Sequence, residues 1–483
     1  MEELDIAAVT RRSIHGVFAL VTRSFFIQII SFVVNFLLTI YLTPAVFGTY
    51  FIVTAVIAFL SYFSDIGLAA ALIQKKESLT QEDLVTTFTL QQALVLTVVI
   101  IGLFLTPLAG KFYHLNQGGI YLFDALIIAF FISSLKTIPS ILLERELRFD
   151  KLVIPQVVET IVFNTIALLL AIRGFGVSSF TYAVLARGIV GLITMYIIAP
   201  WKLRIGFSSP VAKKLLSFGI PFQANSLLAL IKDDLLIAYI GKILPLAQVG
   251  YIGFAQKWAF APLRLIMDNV IRITFPSFAR LQHDKEHLTR AIEKSLFALT
   301  FLIFPSLMGL VLLAPSFIGI IPKYHKWEPT VLSLGLFAIN AALSSISTPL
   351  TNAINAIGKI KMTLYFMVGW TIATWVITPI AIFLYGFNGF AGASALIAFS
   401  VVIVVWFVKK EINFSLKPLL IPSFATCVMG VFLYGITHVM MLNLIEILLS
   451  ILVGGGIYLG TVYLLARKEL VQDIGTIRRQ FIK

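Results

Sequence analysis

The sequence is poor in charged residues and in long polar segments. Asp, Glu, Lys and Arg together make up 12% of its 483 residues, whereas apolar residues make up 59% and the mean hydropathy is +0.97. Soluble globular domains carry about 25% charged residues. The composition therefore excludes a soluble protein and predicts a chain that lies largely in a membrane.

Cysteine and histidine are also scarce. The single Cys427 excludes a disulfide framework and a thiolate metal cluster within one chain. The only clustered histidines, His283 and His287, stand in the sequence HDKEH. This order differs from the zinc motif H-E-x-x-H and lacks a third ligand nearby, so we interpret it as a solvated helix start. We predict no metal, no cofactor and no catalytic residue, and hence no enzyme.

Long apolar runs, by contrast, are abundant. A hydrocarbon core about 30 Å thick requires a helix of roughly 20 apolar residues, and about fourteen runs of that length follow one another. The predicted fold class is an all-α integral membrane protein. The runs cover approximately residues 16–42, 48–72, 84–106, 119–142, 152–172, 177–200, 214–240, 247–272, 291–314, 330–354, 362–384, 389–408, 418–438 and 443–465.

The net charge of +14 arises from 37 Lys and Arg against 23 Asp and Glu. Most of the basic residues lie in alternate loops and in both tails, which places them on one side of the predicted membrane. By the positive-inside rule that side is cytoplasmic, so both termini are predicted to be cytoplasmic. The charge indicates contact with an anionic lipid leaflet, and we predict no binding to nucleic acid.

An internal repeat gives the predicted domain organisation. The joint between the first two apolar runs reads YLTPAVFGTYFIV, and the joint between the seventh and eighth reads YIGKILPLAQVGYIGFA. In both joints a tyrosine follows a proline by six positions. Six spans separate the copies, and an even number keeps both copies in the same orientation, as in transporters with parallel repeats. The predicted units are an N-lobe at 1–210, a C-lobe at 211–412, and two further helices with a tail at 413–483.

Several longer stretches carry a family resemblance in the same order and spacing. They are FGTYFIVTAVIAFLSYFSDIGLAAALIQKKE, ILLERELRFDKL at 141–152, FPSFARLQHDKEHL at 275–288 and KWEPTVLSLGL at 326–336. Together they resemble the oligosaccharide flippases of the multidrug/oligosaccharidyl-lipid/polysaccharide exporter superfamily. The lipopolysaccharide biosynthesis proteins of the colanic-acid-exporter-like branch are similar.

The resemblance implies fourteen helices, with two six-helix lobes around a central cavity, in a prokaryotic inner membrane. It implies a flippase that moves an undecaprenyl-diphosphate-linked oligosaccharide to the outer leaflet by alternating access, coupled to H+ or Na+. The expected partners are membrane lipids, a polysaccharide polymerase and glycosyltransferases, and we expect a monomer. A multidrug exporter of the same superfamily and a membrane-bound glycan polymerase or ligase remain alternatives.

Charged residues inside the apolar runs are the candidate functional residues. Each costs about 2.5–3.5 kcal/mol at the bilayer centre unless it faces a partner, protein or water. The cations inside the runs are Arg23, Lys136, Arg187, Lys232, Lys257 and Arg264. The deep acidic residues are Asp65, Glu159, Asp233, Asp234 and Asp268.

The distance of each charge from the cytoplasmic basic residues predicts two pairs. At 1.5 Å per residue, Arg23 and Asp65 both lie roughly 15 Å deep, and Lys136 lies level with Glu159. These pairs either couple ion flux to transport or hold helices in register. For Asp65 a third possibility is that Ser64 and Asp65 break the helix as a local N-cap.

The remaining charges are assigned to the substrate. Lys257, Arg264 and Asp268 share one helical stripe, because they are separated by seven and four residues. Arg23 and Arg264 are the first choice for the diphosphate, and further head-group contacts are expected from Lys257, Arg187, Lys232, Gln28 and Asn35. Gln28 and Asn35 serve equally well as interhelical hydrogen-bonding groups. Ion coupling or charge pairing is assigned to Asp65, Asp268, Glu159, Lys136, Asp233 and Asp234.

Overall fold

A computed structural model describes residues 27–75, 77–439 and 442–481. The side chains of Asp65, residues 221, 222 and 224–226, and residues 466–481 lie outside this description. All regular secondary structure in the described part of the chain is helical. The predicted all-α fold class is therefore confirmed.

The chain divides into two compact units, and the boundary along the chain lies between Gly250 and Tyr251. The helices of the first unit are α1 (Ile27–Tyr41), α2 (Pro44–Asp65), α3 (Leu68–Gln74), α4 (Gln81–Phe112), α5 (Gln117–Ser134), α6 (Thr137–Arg145), α7 (Phe149–Ile172), α8 (Ser178–Ile198), α9 (Ser209–Leu230) and α10 (Leu236–Ile243). A π-helical turn, Ile231–Leu235, joins α9 to α10.

The helix α11 (Leu246–Arg280) begins in the first unit and continues into the second. The second unit then contains α12 (Lys285–Ile320), α13 (Thr330–Ala356), α14 (Ile360–Tyr385), α15 (Phe387–Ala398), α16 (Val401–Glu411), α17 (Leu420–Val439) and α18 (Leu444–Phe481). Residues 211–250, which the repeat assigns to the C-lobe, pack with the first unit. The lobe boundaries derived from the repeat stay a prediction.

Within the part of the chain that the structure describes, eleven helical segments are long and apolar enough to cross a membrane, which establishes a multi-pass membrane protein. The other three predicted spans correspond to α1, to α9 with α10, and to α11. Of these, α1 is described only from Ile27. The span of α9 and α10 is interrupted by a π turn, and α11 carries several charges. The total of fourteen spans stays a prediction.

Three predicted spans are broken in the structure. The run 48–72 is split at Ile66 and Gly67, which both adopt positive φ. The run 119–142 is split at residues 135–136, and the run 389–408 at residues 399–400. Hydropathy does not detect such breaks because the residues on both sides are equally apolar. The N-cap position of α3 is occupied by Gly67, which has no side chain that could cap the helix. Ser64 and Asp65 do not occupy this position, so the proposed N-cap role of Ser64–Asp65 is wrong.

The HDKEH sequence forms the start of α12, as predicted. Asp284 is the N-cap residue and accepts a hydrogen bond from the backbone N–H of His287. This bond lowers the pKa of the Asp284 carboxyl, and the His287 ring adds to the effect. No cluster of metal-binding side chains is present among the described residues.

Arg145, in the stretch ILLERELRFDKL, joins α6 to the end of α3 and to the loop that follows it. Its guanidinium donates hydrogen bonds to the backbone carbonyls of Leu72 in α3 and Glu77 in the following loop. Lys75 of the same loop pairs with Asp83 in the first turn of α4 at 2.6 Å. The resemblance at this stretch therefore corresponds to a specific structural contact.

The tyrosine of each repeat joint contacts an aromatic residue in the first turn of a later helix of its own unit. Tyr50 stacks on Phe180 of α8 with ring centroids 4.2 Å apart. Tyr251 lies against Phe387 of α15 with centroids 5.4 Å apart. The internal repeat found in the sequence is thus accompanied by a similar contact in both units.

Two reciprocal glycine contacts join α2 and the adjoining turn to residues 209–250. A Cβ on Gly48 would lie 1.8 Å from the carbonyl oxygen of Leu246, and a Cβ on Gly250 would lie 1.9 Å from that of Pro44. At the other end, a Cβ on Gly67 would lie 2.4 Å from the carbonyl oxygen of Gly219, and a Cβ on Gly219 would lie 2.4 Å from that of Ile66. Both crossings require glycine because the backbones touch.

Replacing one of these glycines should destabilise the first unit. We expect Gly250→Ala to lower the free energy of unfolding by about 1–3 kcal/mol or more, because the new methyl group overlaps a rigid carbonyl. Thermal unfolding in detergent measures the effect. Gly456→Ala is the matched control, since a Cβ there meets no atom within 4 Å. Equal melting temperatures for Gly250→Ala and Gly456→Ala would contradict the close crossing.

Candidate functional site: a charge cluster inside the first unit

Three charged side chains meet in the first unit. Lys136 is the N-cap residue of α6, Glu159 lies near the middle of α7, and Arg187 lies near the middle of α8. At 1.5 Å per residue, Arg187 is about 15 Å from either end of its helix. The cluster therefore lies deep within the span.

Glu159 interacts with both cations through different oxygens. The Lys136 ammonium donates to Oε1, and Nε of Arg187 lies 3.5 Å from Oε2. The side chains of Lys136 and Glu159 are 14% and 10% exposed, whereas that of Arg187 is 52% exposed. With all three groups ionised, the cluster carries one net positive charge, and this charge is on its exposed side.

The position of Lys136 follows from the break between α5 and α6. The hydroxyl of Tyr196 donates to the carbonyl oxygen of Leu135 at 3.0 Å, which satisfies one group released by the break. Gln91 and Gln92 of α4 donate to Thr137 and Ser134 on its two sides, each at 3.0 Å. Because the break is fixed by three neighbours, the direction of the lysine side chain is fixed as well.

Gly191 makes room for the carboxylate. A Cβ at this position would lie 2.1 Å from Oε1 of Glu159. Gly191 follows Arg187 by one helical turn, so the two positions face the same side of α8. The carboxylate thus packs directly against the backbone of α8 and beside its cation.

An aromatic stack adjoins the cluster. Phe163, one turn after Glu159, lies nearly parallel to Phe180 with centroids 6.4 Å apart. Phe180 in turn stacks on Tyr50. Cζ of Arg187 lies 6.0 Å from the Phe163 centroid, and the Tyr50 side chain also interacts electrostatically with Arg187.

Depth arithmetic on the sequence paired Lys136 with Glu159, and the structure brings them together. It did not find Arg187 as a second partner of Glu159, nor the aromatic residues. The signal that could have found them is helical spacing: Glu159 and Phe163 are four apart, and Phe180, Arg187 and Gly191 follow at seven and four. The roles assigned to these residues stay predictions.

In the second unit, Lys257, Arg264 and Asp268 all lie on the single helix α11 and are all exposed. Lys257 and Arg264 interact electrostatically with each other. Among the described residues Arg264 makes no ion pair. The stripe is therefore a cationic surface with one acidic residue at its end.

The other predicted site residues that the structure describes do not join the cluster. Lys232, Asp233 and Asp234 lie in the π turn, where Lys232 pairs with the adjacent Asp233. π turns within helices frequently mark functional positions. Gln28 is half-buried in α1, and the Asn35 amide donates to the carbonyl oxygen of Ser31 in the same helix at 2.6 Å. Arg23 and the side chain of Asp65 lie outside the described residues, so their pairing stays a prediction.

The buried pair should show the coupling typical of buried charges. Glu159→Gln leaves Lys136 buried beside a second cation, and we expect a loss of about 3–5 kcal/mol in the free energy of unfolding. Adding Lys136→Gln should restore most of it, because both buried charges are then gone. Thermal unfolding of the single and double variants in detergent tests this coupling.

The matched control is Glu146→Gln in the exposed pair with Arg148, where the change should stay within about 1 kcal/mol. Strictly additive losses for Glu159→Gln and Lys136→Gln would contradict a shared carboxylate.

The fold and the cluster define a class: a multi-pass helical membrane protein with an internal repeat and cationic residues within its spans. The chain belongs to the family of polysaccharide biosynthesis proteins, whose sequence profile matches residues 37–332. The resemblance of the sequence to a family of polysaccharide biosynthesis proteins is thereby confirmed.

Three relatives cover most of the chain. An uncharacterized membrane protein in the cps region of Klebsiella pneumoniae is 24% identical over 95% of this chain and 96% of its own length. The lipopolysaccharide biosynthesis protein WzxC of Escherichia coli is 24% identical over 67% of this chain and 65% of its own length. The succinoglycan biosynthesis transport protein ExoT of Rhizobium meliloti is 26% identical over 62% and 60%.

Solved structures give the same fold. The lipid II flippase MurJ in an inward closed conformation aligns with a TM-score of 0.75 and 15% identity, over 94% of this chain and all of that one. An inward-facing multidrug transporter of the MATE family aligns with a TM-score of 0.60 and 14% identity, over 80% and 94%. ExoT is named as a transport protein and MurJ as a flippase, in agreement with the prediction that the chain is not an enzyme.

Proposed function

We propose that the protein is a flippase that translocates an undecaprenyl-diphosphate-linked oligosaccharide from the cytoplasmic to the outer leaflet by alternating access. The observation that carries the proposal is the excess of exposed cations at positions inside the helices. Arg187 is half-exposed near the middle of α8, and Lys257 and Arg264 are exposed on α11. A transported group with several negative charges suits these cations.

The diphosphate is assigned first to Arg264 and Arg23, with Lys257 beside Arg264. Arginine presents a planar fork of donors that matches phosphate oxygens, which supports its choice over lysine for direct contact. Arg187, Lys232, Gln28 and Asn35 are assigned to the head group more broadly. The apolar polyprenyl tail stays in the lipid, so it can move between the leaflets without passing through a polar cavity of the protein.

Coupling to H+ or Na+ is assigned to acidic residues that compete for the same cations. Glu159 supports this role because two cations already share its carboxylate. Binding of a proton or Na+ to such a carboxylate weakens its hold on Arg187 and frees the guanidinium for phosphate. Asp65, Asp268, Asp233 and Asp234 are the further candidates.

The same proposal places the protein in a prokaryotic inner membrane with both termini in the cytoplasm, as the distribution of basic residues predicts. The relatives WzxC and ExoT are named for lipopolysaccharide and succinoglycan biosynthesis, which supports work beside glycosyltransferases and a polymerase. A monomer suffices for the proposed mechanism.

Loss of one phosphate-binding arginine should abolish transport without unfolding the protein. In proteoliposomes loaded with a lipid-linked oligosaccharide, we expect Arg264→Ala to reduce the rate of translocation at least tenfold, because a charge-assisted contact contributes about 1.5–3 kcal/mol. Arg264→Lys should keep part of the activity. The accessible fraction of glycan on each side of the vesicle measures the rate.

Arg290→Ala is the control, because Arg290 is exposed and its ion pair among the described residues is with Glu286, one turn earlier in α12. Full translocation by Arg264→Ala, with normal insertion of the protein, would refute the assignment of Arg264. Transport of organic cations by the wild-type protein, with no movement of lipid-linked glycan, would refute the flippase proposal as a whole.

A further inference from the structure

We infer that Phe163 and Arg187 form a subsite for the first sugar of the lipid-linked glycan and its adjoining phosphate. The inference rests on the proposed flippase function and adds to it a place where the carbohydrate itself is recognised. It concerns the first unit alone. The carrying observation is a half-exposed guanidinium beside the end ring of a fixed aromatic stack.

The exposed side of Arg187 must face a polar space. The residue lies near the middle of α8, and a guanidinium exposed to hydrocarbon at that depth is costly. Its 52% exposed side chain therefore lies against water or a polar ligand and not against lipid. Phe163 adjoins this side chain: its ring centroid lies 6.0 Å from the guanidinium carbon, and the residue is not fully buried.

The two cations of the cluster differ in how firmly they are held. Lys136 donates directly to Glu159 and is mostly buried. Arg187 approaches the other carboxylate oxygen only to 3.5 Å, beyond the usual length of a charge-assisted hydrogen bond. Arg187 can therefore turn to a phosphate while Lys136 keeps Glu159 paired and the buried charges balanced.

The aromatic stack suits a sugar ring. The axial C–H groups of a pyranose form an apolar face with a slight positive charge, which fits the negative face of an aromatic ring. Phe163 lies 18° from parallel to Phe180, and Phe180 lies 24° from parallel to Tyr50. Phe180 is 2% exposed, so the ring behind Phe163 is fixed in the core. A fixed ring loses little conformational entropy when a ligand binds.

The Arg187 guanidinium and the Phe163 ring together can bind a ligand that contains both a phosphate and a sugar. Arg187 supplies a planar donor for phosphate, and Phe163 supplies a flat apolar ring whose centroid lies 6.0 Å from the guanidinium carbon. A bare polyprenyl diphosphate would use the arginine alone. A polyprenyl diphosphate that carries a sugar would use both residues, and this difference is the measurable consequence.

Binding to the full-length protein in lipid nanodiscs tests the subsite with two probes. One is polyprenyl diphosphate, and the other is polyprenyl diphosphate that carries one N-acetylhexosamine. We expect Phe163→Leu to lower the affinity for the sugar-bearing probe by about 3- to 10-fold, because an aromatic contact is lost. The affinity for the bare probe should fall less than about 2-fold. Phe163→Tyr should retain both affinities. Arg187→Gln should weaken both probes by a similar factor.

Phe175→Leu is the matched control, because Phe175 is an exposed aromatic residue of the first unit that contacts Tyr182 and not the cluster. Neither affinity should change in this variant. If Phe163→Leu lowers both affinities equally, or neither, the sugar subsite is refuted while the flippase proposal stands. If the wild-type protein binds neither probe, both proposals are refuted.

Discussion

The sharing of the Glu159 carboxylate between Lys136 and Arg187 is the interaction on which the interior of the first unit depends. An unpaired charge at this depth would cost several kcal/mol, so each partner requires the others. The break between α5 and α6 directs Lys136 inward, and Gly191 leaves the space that the carboxylate fills. Local backbone features that appear irregular thus serve one electrostatic requirement.

The sequence predicted the features that depend on composition and on the spacing of residues along the chain. The apolar runs gave the helical fold, the repeated Pro–Tyr spacing gave the joints at Tyr50 and Tyr251, and depth arithmetic gave the Lys136–Glu159 pair. The helix breaks were missed because hydropathy is the same on both sides of a break. Arg187 was assigned to an apolar run without its partner, since the sequence of a run does not determine which helices adjoin it. The aromatic stack was missed because phenylalanines in an apolar run are indistinguishable from core residues.

The sign of the exposed intramembrane charge separates two substrate classes on one fold. The structural neighbours include a lipid II flippase and a multidrug transporter, so the fold alone does not select between them. Exposed charges at described positions within the helices include the cations Arg187, Lys257 and Arg264. The exposed acidic residues at such positions include Asp233 and Asp268. Each of these exposed cations repels an organic cation and attracts a diphosphate. The membership in a polysaccharide biosynthesis family agrees with the second substrate class.

The most direct test is whether the cluster in the first unit faces water. Arg187→Cys and Ile189→Cys, each with Cys427→Ser, are compared in native membranes for reaction with a membrane-impermeant thiol reagent. Ile189 is the lipid control because it is an exposed apolar residue two positions along the same helix. The account predicts rapid labelling at position 187 and little at 189. Absence of labelling at position 187, or equal rates at both positions, would contradict it.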